Sequence, residues 1–178
     1  MNVQIRPATL ADIPAIQRLI QESVEGLSAA HYSPRQIASA LTHVFGVDTQ
    51  LILDGTYFVA EIENHIAGSG GWSKRATLFG GDQSKPDEPE PLLDPLVAAA
   101  RIRAFYVHPQ YARQGVGRKI VNACEAAARA AGFIRIELVA TLPGEPLYTA
   151  CGYEKVAAMQ IRTPDGESLP AFRMMKTL

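Results

Sequence analysis

The stretch Val107-His108-Pro109-Gln110-Tyr111-Ala112-Arg113-Gln114-Gly115-Val116-Gly117-Arg118 carries the residue types that holding an anion requires. An apolar strand end runs into a turn, and two glycines then open an amphipathic helix. Gly115 and Gly117 let the main chain turn sharply and approach a ligand with no Cβ in the way, so successive N–H groups can converge on one set of phosphate oxygens. The helix start adds unsatisfied donors and the positive end of its dipole, and Arg113 and Arg118 add charge. Two familiar nucleotide motifs do not fit. A P-loop reads G-x-x-x-x-G-K-(S/T), but Gly117 is followed by Arg118, Lys119 and Ile120, with no hydroxyl for magnesium. A dinucleotide fingerprint needs glycine or alanine at 120 and an acid at the end of the next strand, whereas Glu137 falls inside that strand.

The same stretch resembles the phosphate loop of the GNAT superfamily of N-acetyltransferases, (Q/R)-x-x-G-x-(G/A) at a helix start. Gly115-x-Gly117 supplies the glycine half, while Ala112 stands where Gln or Arg is usual and Arg113 follows one place later. Downstream, Leu147-Tyr148-Thr149-Ala150-Cys151-Gly152-Tyr153-Glu154 resembles the family pattern (L/F)-Y-x-x-x-G-(F/Y)-x. The resemblance implies acetyl-CoA as co-substrate. Its pyrophosphate would lie on Arg113, Gln114, Gly115, Val116, Gly117 and Arg118, and its pantetheine arm on main-chain groups near Phe105 and Val107.

Acyl transfer from a thioester to an amine needs a neutral amine, donors for the developing oxyanion and an acid for the departing thiolate. By resemblance Tyr148 is that acid; a phenol, with a reference pKa of about 10, is protonated at neutral pH. The base is harder to name. Family members often carry a glutamate on the strand before the phosphate loop, but Ala100-Arg101-Ile102-Arg103-Ala104 has no carboxylate. Glu22, Glu61, His65 and Asp94 are candidates, each equally readable as a surface group. His108, beside Pro109, reads as a turn residue, and Trp72 either stacks a substrate or packs the core. The implied activity is acetyl transfer to a primary amine of a small molecule or peptide, with acceptor choice set by residues 21–45 and 73–98. Two competitors stand beside it: a catalytically silent acyl-CoA sensor on the same fold, and a hydrolase using Cys151 with His65 or His108.

These residues need elements to position them. Val3 to Arg6 alternates as a strand, and a helix follows with Ile13, Ile16, Leu19 and Ile20 on one face. Ser33-Pro34 reads as N-cap and first residue of a second helix burying Ile37 and Leu41. Tyr57–Ile62 and His65–Trp72 form a hairpin turning at Glu63-Asn64. From Ser73 to Ala98 the periodicity fails; four prolines and five acids between 82 and 95 predict a mobile loop, either a lid over the acceptor site or a solvated insertion. In the strand Ala100–Val107, Ile102 and the pair Phe105 and Val107 differ in parity. A bulge near Arg103-Ala104 reconciles them, and unbroken alternation in a doubly buried strand is the alternative.

The helix from Gly115 to Ala131 is expected to bury Val116, Ile120, Cys124, Ala127 and Ala131, to expose Glu125, and to stop at Gly132. Cys124 is thus a structural thiol. A strand Phe133–Ala140, alternating Ile134, Ile136 and Leu138, lies parallel to 100–107 through a right-handed crossover. A short helix carries Leu147 and Tyr148, and Tyr153–Arg162 and Leu169–Lys176 close the chain as a hairpin. The fold class is therefore α/β, a GNAT-like mixed sheet with a central parallel β-α-β unit and helices on both faces.

With 178 residues, 47% of them apolar, the chain builds one core and reads as a single domain, 1–178. A net charge of −1 with dispersed basic residues excludes a general field for nucleic acid. Two cysteines without C-x-x-C or nearby histidine pairs argue against a metal and for a reducing cytoplasm. No stretch approaches 18 apolar residues, and the N-terminus shows no signal-peptide pattern, so membrane partners are not expected. Monomer and homodimer both stay open.

Overall fold

The computed structural model describes residues 2–178. Strand β1 (Gln4–Pro7) leads into three helices, α1 (Ile13–Ser28), α2 (Pro34–His43) and α3 (Thr49–Leu53). The hairpin β2 (Tyr57–Ile62) and β3 (His65–Ser73) follows, then β4 (Ala100–Val107), α4 (Val116–Ala130), β5 (Arg135–Thr141), α5 (Glu145–Ala150), β6 (Glu154–Arg162) and β7 (Ser168–Thr177). The seven strands form one sheet in the order β1-β2-β3-β4-β5-β7-β6, parallel only between β4 and β5. The mixed sheet is as expected, with β7 between β5 and β6.

Two apolar layers sandwich the sheet. On one face α4 sets Ile120, Val121, Cys124 and Ala128 against Ala67, Ile102, Ile136 and Leu138. On the other, Ile16, Leu19, Ile20 and Val24 of α1 and Ile37 of α2 meet Tyr57, Val59, Tyr106 and Ile161. Strand pleating divides the labour: along β2, Tyr57 and Val59 enter one layer and Ala60 and Ile62 the other. Local signals do their expected work. Ser33 Oγ accepts from Gln36 N–H at 3.1 Å while Gln36 returns a bond to Ser33 N–H at 2.8 Å, a capping box that starts α2. Glu63 and Asn64 take φ of 49° and 65° in the tight turn of the first hairpin.

The bulge in β4 is real. Ser69 faces Tyr106 and Gly71 faces Arg103, so Gly70 alone opposes both Ala104 and Phe105. Ala104 takes up the extra residue at φ 53°. Gly70 must lack a side chain, because a Cβ there would lie 2.3 Å from the Phe105 ring. The pairing of β4 with β5 is confined to Ala100 with Ile136 and Arg101 with Glu137, and beyond the bulge the two strands part.

Several expectations need correction. Glu125 is not on the solvent face of α4: it is 4% exposed and accepts from Lys176 Nζ at 2.8 Å, a partner supplied by β7. Ala131 is exposed instead of buried, because the helix has already ended. Ile134 is 58% exposed because β5 begins one residue later, at Arg135. Glu137 is buried, and Arg101 and Arg173 from the flanking strands neutralise it, the latter at 2.6 Å. The segment 73–98 holds one 3-10 turn, Asp82–Ser84, and a single bridge, Arg75 to Leu92. It is nevertheless tied inward rather than solvated throughout: Glu90 reaches Arg103 at 3.1 Å, and Arg75 reaches Asp54 at 2.7 Å.

Candidate active site

Where β4 leaves β5, a cavity of about 500 Å³ opens. Residues of both apolar layers line it: Val24, Tyr106 and Ile161 from the α1 side, and Phe105, Leu147 and Tyr148 from the α4 side. The cavity therefore passes between the splayed strands instead of lying on one face. The bulge makes this possible, since a regular ladder would close the gap with backbone hydrogen bonds.

Arg113, Gly115, Gly117 and Arg118 line one end. Arg113 takes φ 64° and Gly115 φ 86°, and two left-handed residues in quick succession wrap the chain into the N-cap of α4. A Cβ on Gly115 would meet nothing within 4 Å, so glycine is required there for its backbone conformation and the space above it is open. Gly117 also lines the cavity, and a Cβ there would sit 2.8 Å from Leu147 Cδ2, so its small size helps α5 close on α4 as well. The first intrahelical bond of α4 runs from Lys119 N–H to Gly115 C=O, leaving the N–H groups of residues 115–118 without an acceptor in the preceding turn. Val116 buries its side chain in the core and can offer only its main chain. Gln114 is exposed, with its amide donating to Gln110 C=O at 2.7 Å.

Phe105 and Val107 line the middle of the cavity. No β5 residue pairs with either. Val107, however, is not a free donor, because its N–H bonds to Ser23 Oγ at 3.2 Å. Ser23 was invisible to sequence reasoning: a small hydroxyl on the apolar stripe of α1 carries no signal of the strand it will meet. Tyr148, from α5, packs edge-on against Phe105 at 5.8 Å and Tyr153 at 5.7 Å between ring centres. Burial pushes its phenol well above the usual value, so the group is protonated across the physiological range, and its hydroxyl has no hydrogen-bond partner among the described residues.

Two buried clusters, also unanticipated, support the bulge. Tyr57 Oη donates to Ala104 C=O at 2.8 Å and lies 3.0 Å from Ser69 Oγ. Arg103, fully buried, donates to Thr77 C=O at 2.9 Å and pairs with Glu90. Its Nε lies 2.8 Å from the equally buried Asp48 carboxylate, although the N–H is not aimed at the oxygen. Lys85 closes the group by contacting Asp48.

The other candidates fall elsewhere. Glu61 is held by Arg6 at 2.7 Å, Asp94 accepts from Leu96 N–H at 2.9 Å, and His65 Nδ1 lies 3.1 Å from Glu63 C=O. Glu22 lies 3.2 Å from His108 Nε2, and His108 Nδ1 accepts from Gln110 N–H, the turn role expected of it. None of these residues lines the cavity, nor does either cysteine. Burial raises both thiols, which leaves a Cys151–His65 or Cys151–His108 hydrolase without an activated nucleophile. Trp72 is core, edge-on to Phe133 at 6.0 Å. Among the described residues no cluster of three or more His, Cys, Asp or Glu could hold a metal, and no helix is long and apolar enough to cross a membrane.

No curated protein sequence matches the chain. Solved structures do. A GCN5-related N-acetyltransferase from Rhodopseudomonas palustris superposes with a TM-score of 0.71 at 20% identity, covering 100% of this chain and 97% of its own. YncA from Salmonella typhimurium, solved with its cofactor acetyl-CoA, gives 0.65 at 19% identity over 100% and 95%. The PaiA N-acetyltransferase of Thermoplasma acidophilum, in complex with coenzyme A, gives 0.62 at 14% over 100% of both chains. At such identities these likenesses speak for the fold. The family model for the acetyltransferase (GNAT) domain matches residues 53–155, which span β2 to the start of β6 and include the bulge, the α4 entrance and Tyr148, and the chain therefore belongs to the GNAT acetyltransferase family.

Proposed function

We propose that the protein is an acetyl-CoA-dependent N-acetyltransferase that moves the acetyl group directly to a primary amine, with Tyr148 as general acid. The observation that carries this reading is the continuous cavity, which has unpaired α4 N–H groups and two arginines at one end and a protonated phenol beside the strand opening. The α4 N-terminus, with Arg113 and Arg118, would hold the diphosphate of the nucleotide thioester. The Phe105 main-chain N–H, past the bulge and without a β5 partner, would face the thioester carbonyl as negative charge develops on its oxygen. The amine nitrogen bonds to that carbon, the C–S bond breaks, and the Tyr148 hydroxyl protonates the leaving thiolate; Tyr148 then recovers a proton lost from the nitrogen. Phe105 and Tyr153 hold the phenol ring in place by edge contacts.

The test is turnover of acetyl-CoA with an amine panel by the protein and by Tyr148→Phe. We expect kcat to fall about 100-fold, with little change in affinity for acetyl-CoA. Unchanged kcat removes Tyr148 from the chemistry. One observation favours a second reading, a silent acyl-CoA sensor: no carboxylate or imidazole lines the cavity to act as base. Tight acetyl-CoA binding with no transfer to any amine would select it.

A further inference from the structure

The cavity has two chemically different ends. Around the α4 entrance the lining is basic and rich in main-chain donors. Past the strand opening, on the α1 side, it consists of Val24, Leu27, Phe45, Phe79 and Ile161, with Ser28 among the few hydroxyls. No Asp, Glu, His or Lys lines either end. Three arginines do. Arg113 and Arg118 stand at the α4 entrance, and Arg103, in the middle, is already neutralised by Asp48 and Glu90. The charged side chains that line it are therefore cationic or already neutralised, and none is anionic.

Resting on the acetyl-transfer reading above, we infer that the acceptor is a monoamine on an apolar, uncharged body, of arylalkylamine size, and that polycationic acceptors are excluded. Two arguments converge. A polyamine or an aminoglycoside keeps further ammonium groups charged in the site, and each would leave water for a lining with no carboxylate to receive it and arginines further along. An apolar body instead gains by covering Phe45, Phe79 and Leu27, all of them half-buried. Of the two α1 hydroxyls that line it, Ser23 already accepts from Val107 N–H, and an uncharged hydroxyl does not neutralise a second ammonium charge. The missing base points the same way: with no lining carboxylate or imidazole, the nitrogen must shed its proton to water, and an apolar pocket itself favours the uncharged amine.

The experiment measures affinity and turnover together. Calorimetry with 2-phenylethylamine, butylamine and spermidine is run on the CoA-loaded protein, and kcat/KM is measured with acetyl-CoA as co-substrate, for the unaltered protein and for Phe79→Asp, which puts a carboxylate at the apolar end; circular dichroism and Tm check that both proteins are folded. We expect 2-phenylethylamine to bind roughly thirtyfold more tightly than spermidine, with butylamine between them. In Phe79→Asp the preference should narrow or reverse. Equal affinities, or spermidine ahead in the unaltered protein, overturn the inference. The same ranking of affinities with no amine acetylated supports the pocket assignment and overturns the transfer reading, so the two can fail separately.

Discussion

Removing the Tyr57 hydroxyl should loosen the bulge that opens the sheet. Tyr57 is fully buried, and its hydroxyl donates to Ala104 C=O at 2.8 Å while Ser69 Oγ lies 3.0 Å away. Because the phenol gives its only proton to Ala104, the Ser69 hydroxyl must donate to it. Tyr57→Phe keeps the ring and its packing but strands a part-buried carbonyl and a buried hydroxyl, a loss of about 2 kcal/mol. For a chain of this length that corresponds to a fall in Tm of about 4–8 °C. Ala104 at φ 53° holds a conformation costing an alanine about 1 kcal/mol, and the lost bond is what offsets it. The strand should then sample regular pairing, which narrows the opening. We expect kcat to drop about tenfold while KM for acetyl-CoA shifts less than about threefold, because Tyr57 does not touch the α4 entrance. Ala104→Gly in the same background should restore about 1 kcal/mol and part of kcat, since glycine takes the left-handed conformation freely. Denaturation curves and steady-state kinetics of the unaltered protein, the two single variants Tyr57→Phe and Ala104→Gly, and the double variant read the cycle. A Tyr57→Phe protein of unchanged Tm and kcat would refute the argument.

Two further outcomes follow from other sites. Gly115→Ala meets no steric obstacle but forces an alanine to φ 86°, so the entrance loop should relax; calorimetry should show acetyl-CoA affinity falling about tenfold with Tm lowered by only about 2–4 °C. Glu90→Gln should cost about 2 kcal/mol at pH 7, read from urea midpoints. Burial works to raise the Glu90 carboxyl, but bonds from Arg103 and Thr77 outweigh it and hold the group below its usual value. Its contribution is thus present above the unfolded carboxylate value of about 4.3 and is lost as pH falls through the lower folded value, so the two proteins should converge in acid.

How much of this was legible in the chain depended on whether the signal was local. The bulge could be read from parity alone, because Phe105 and Val107 break phase with Ile102 and side-chain alternation permits no other repair short of burying both faces. The α2 cap and the Glu63-Asn64 turn are equally local. Helix α3 could not be read: five residues carry too little periodicity, and its start is fixed by Asp48, which accepts from Leu51 N–H, and by Asp82, which reaches Thr49 from far along the chain. Glu125 looked solvent-facing, and the burial of neither Glu125 nor Glu137 could be read, because the cations that accompany them inward lie on β4 and β7. In the candidate site the anion cradle and Tyr148 were visible as motifs, whereas the Ser23 contact with Val107 joins residues 84 positions apart and has no sequence signature.

A passage lined from both sides of a sheet resembles a corridor rather than a cul-de-sac. On the proposed reading, nucleotide thioester and amine would reach it from opposite faces, so neither would trap the other inside or wait for a vacated berth. Initial-rate plots should then intersect rather than run parallel, and free CoA should compete with the thioester while leaving the amine's entrance untouched.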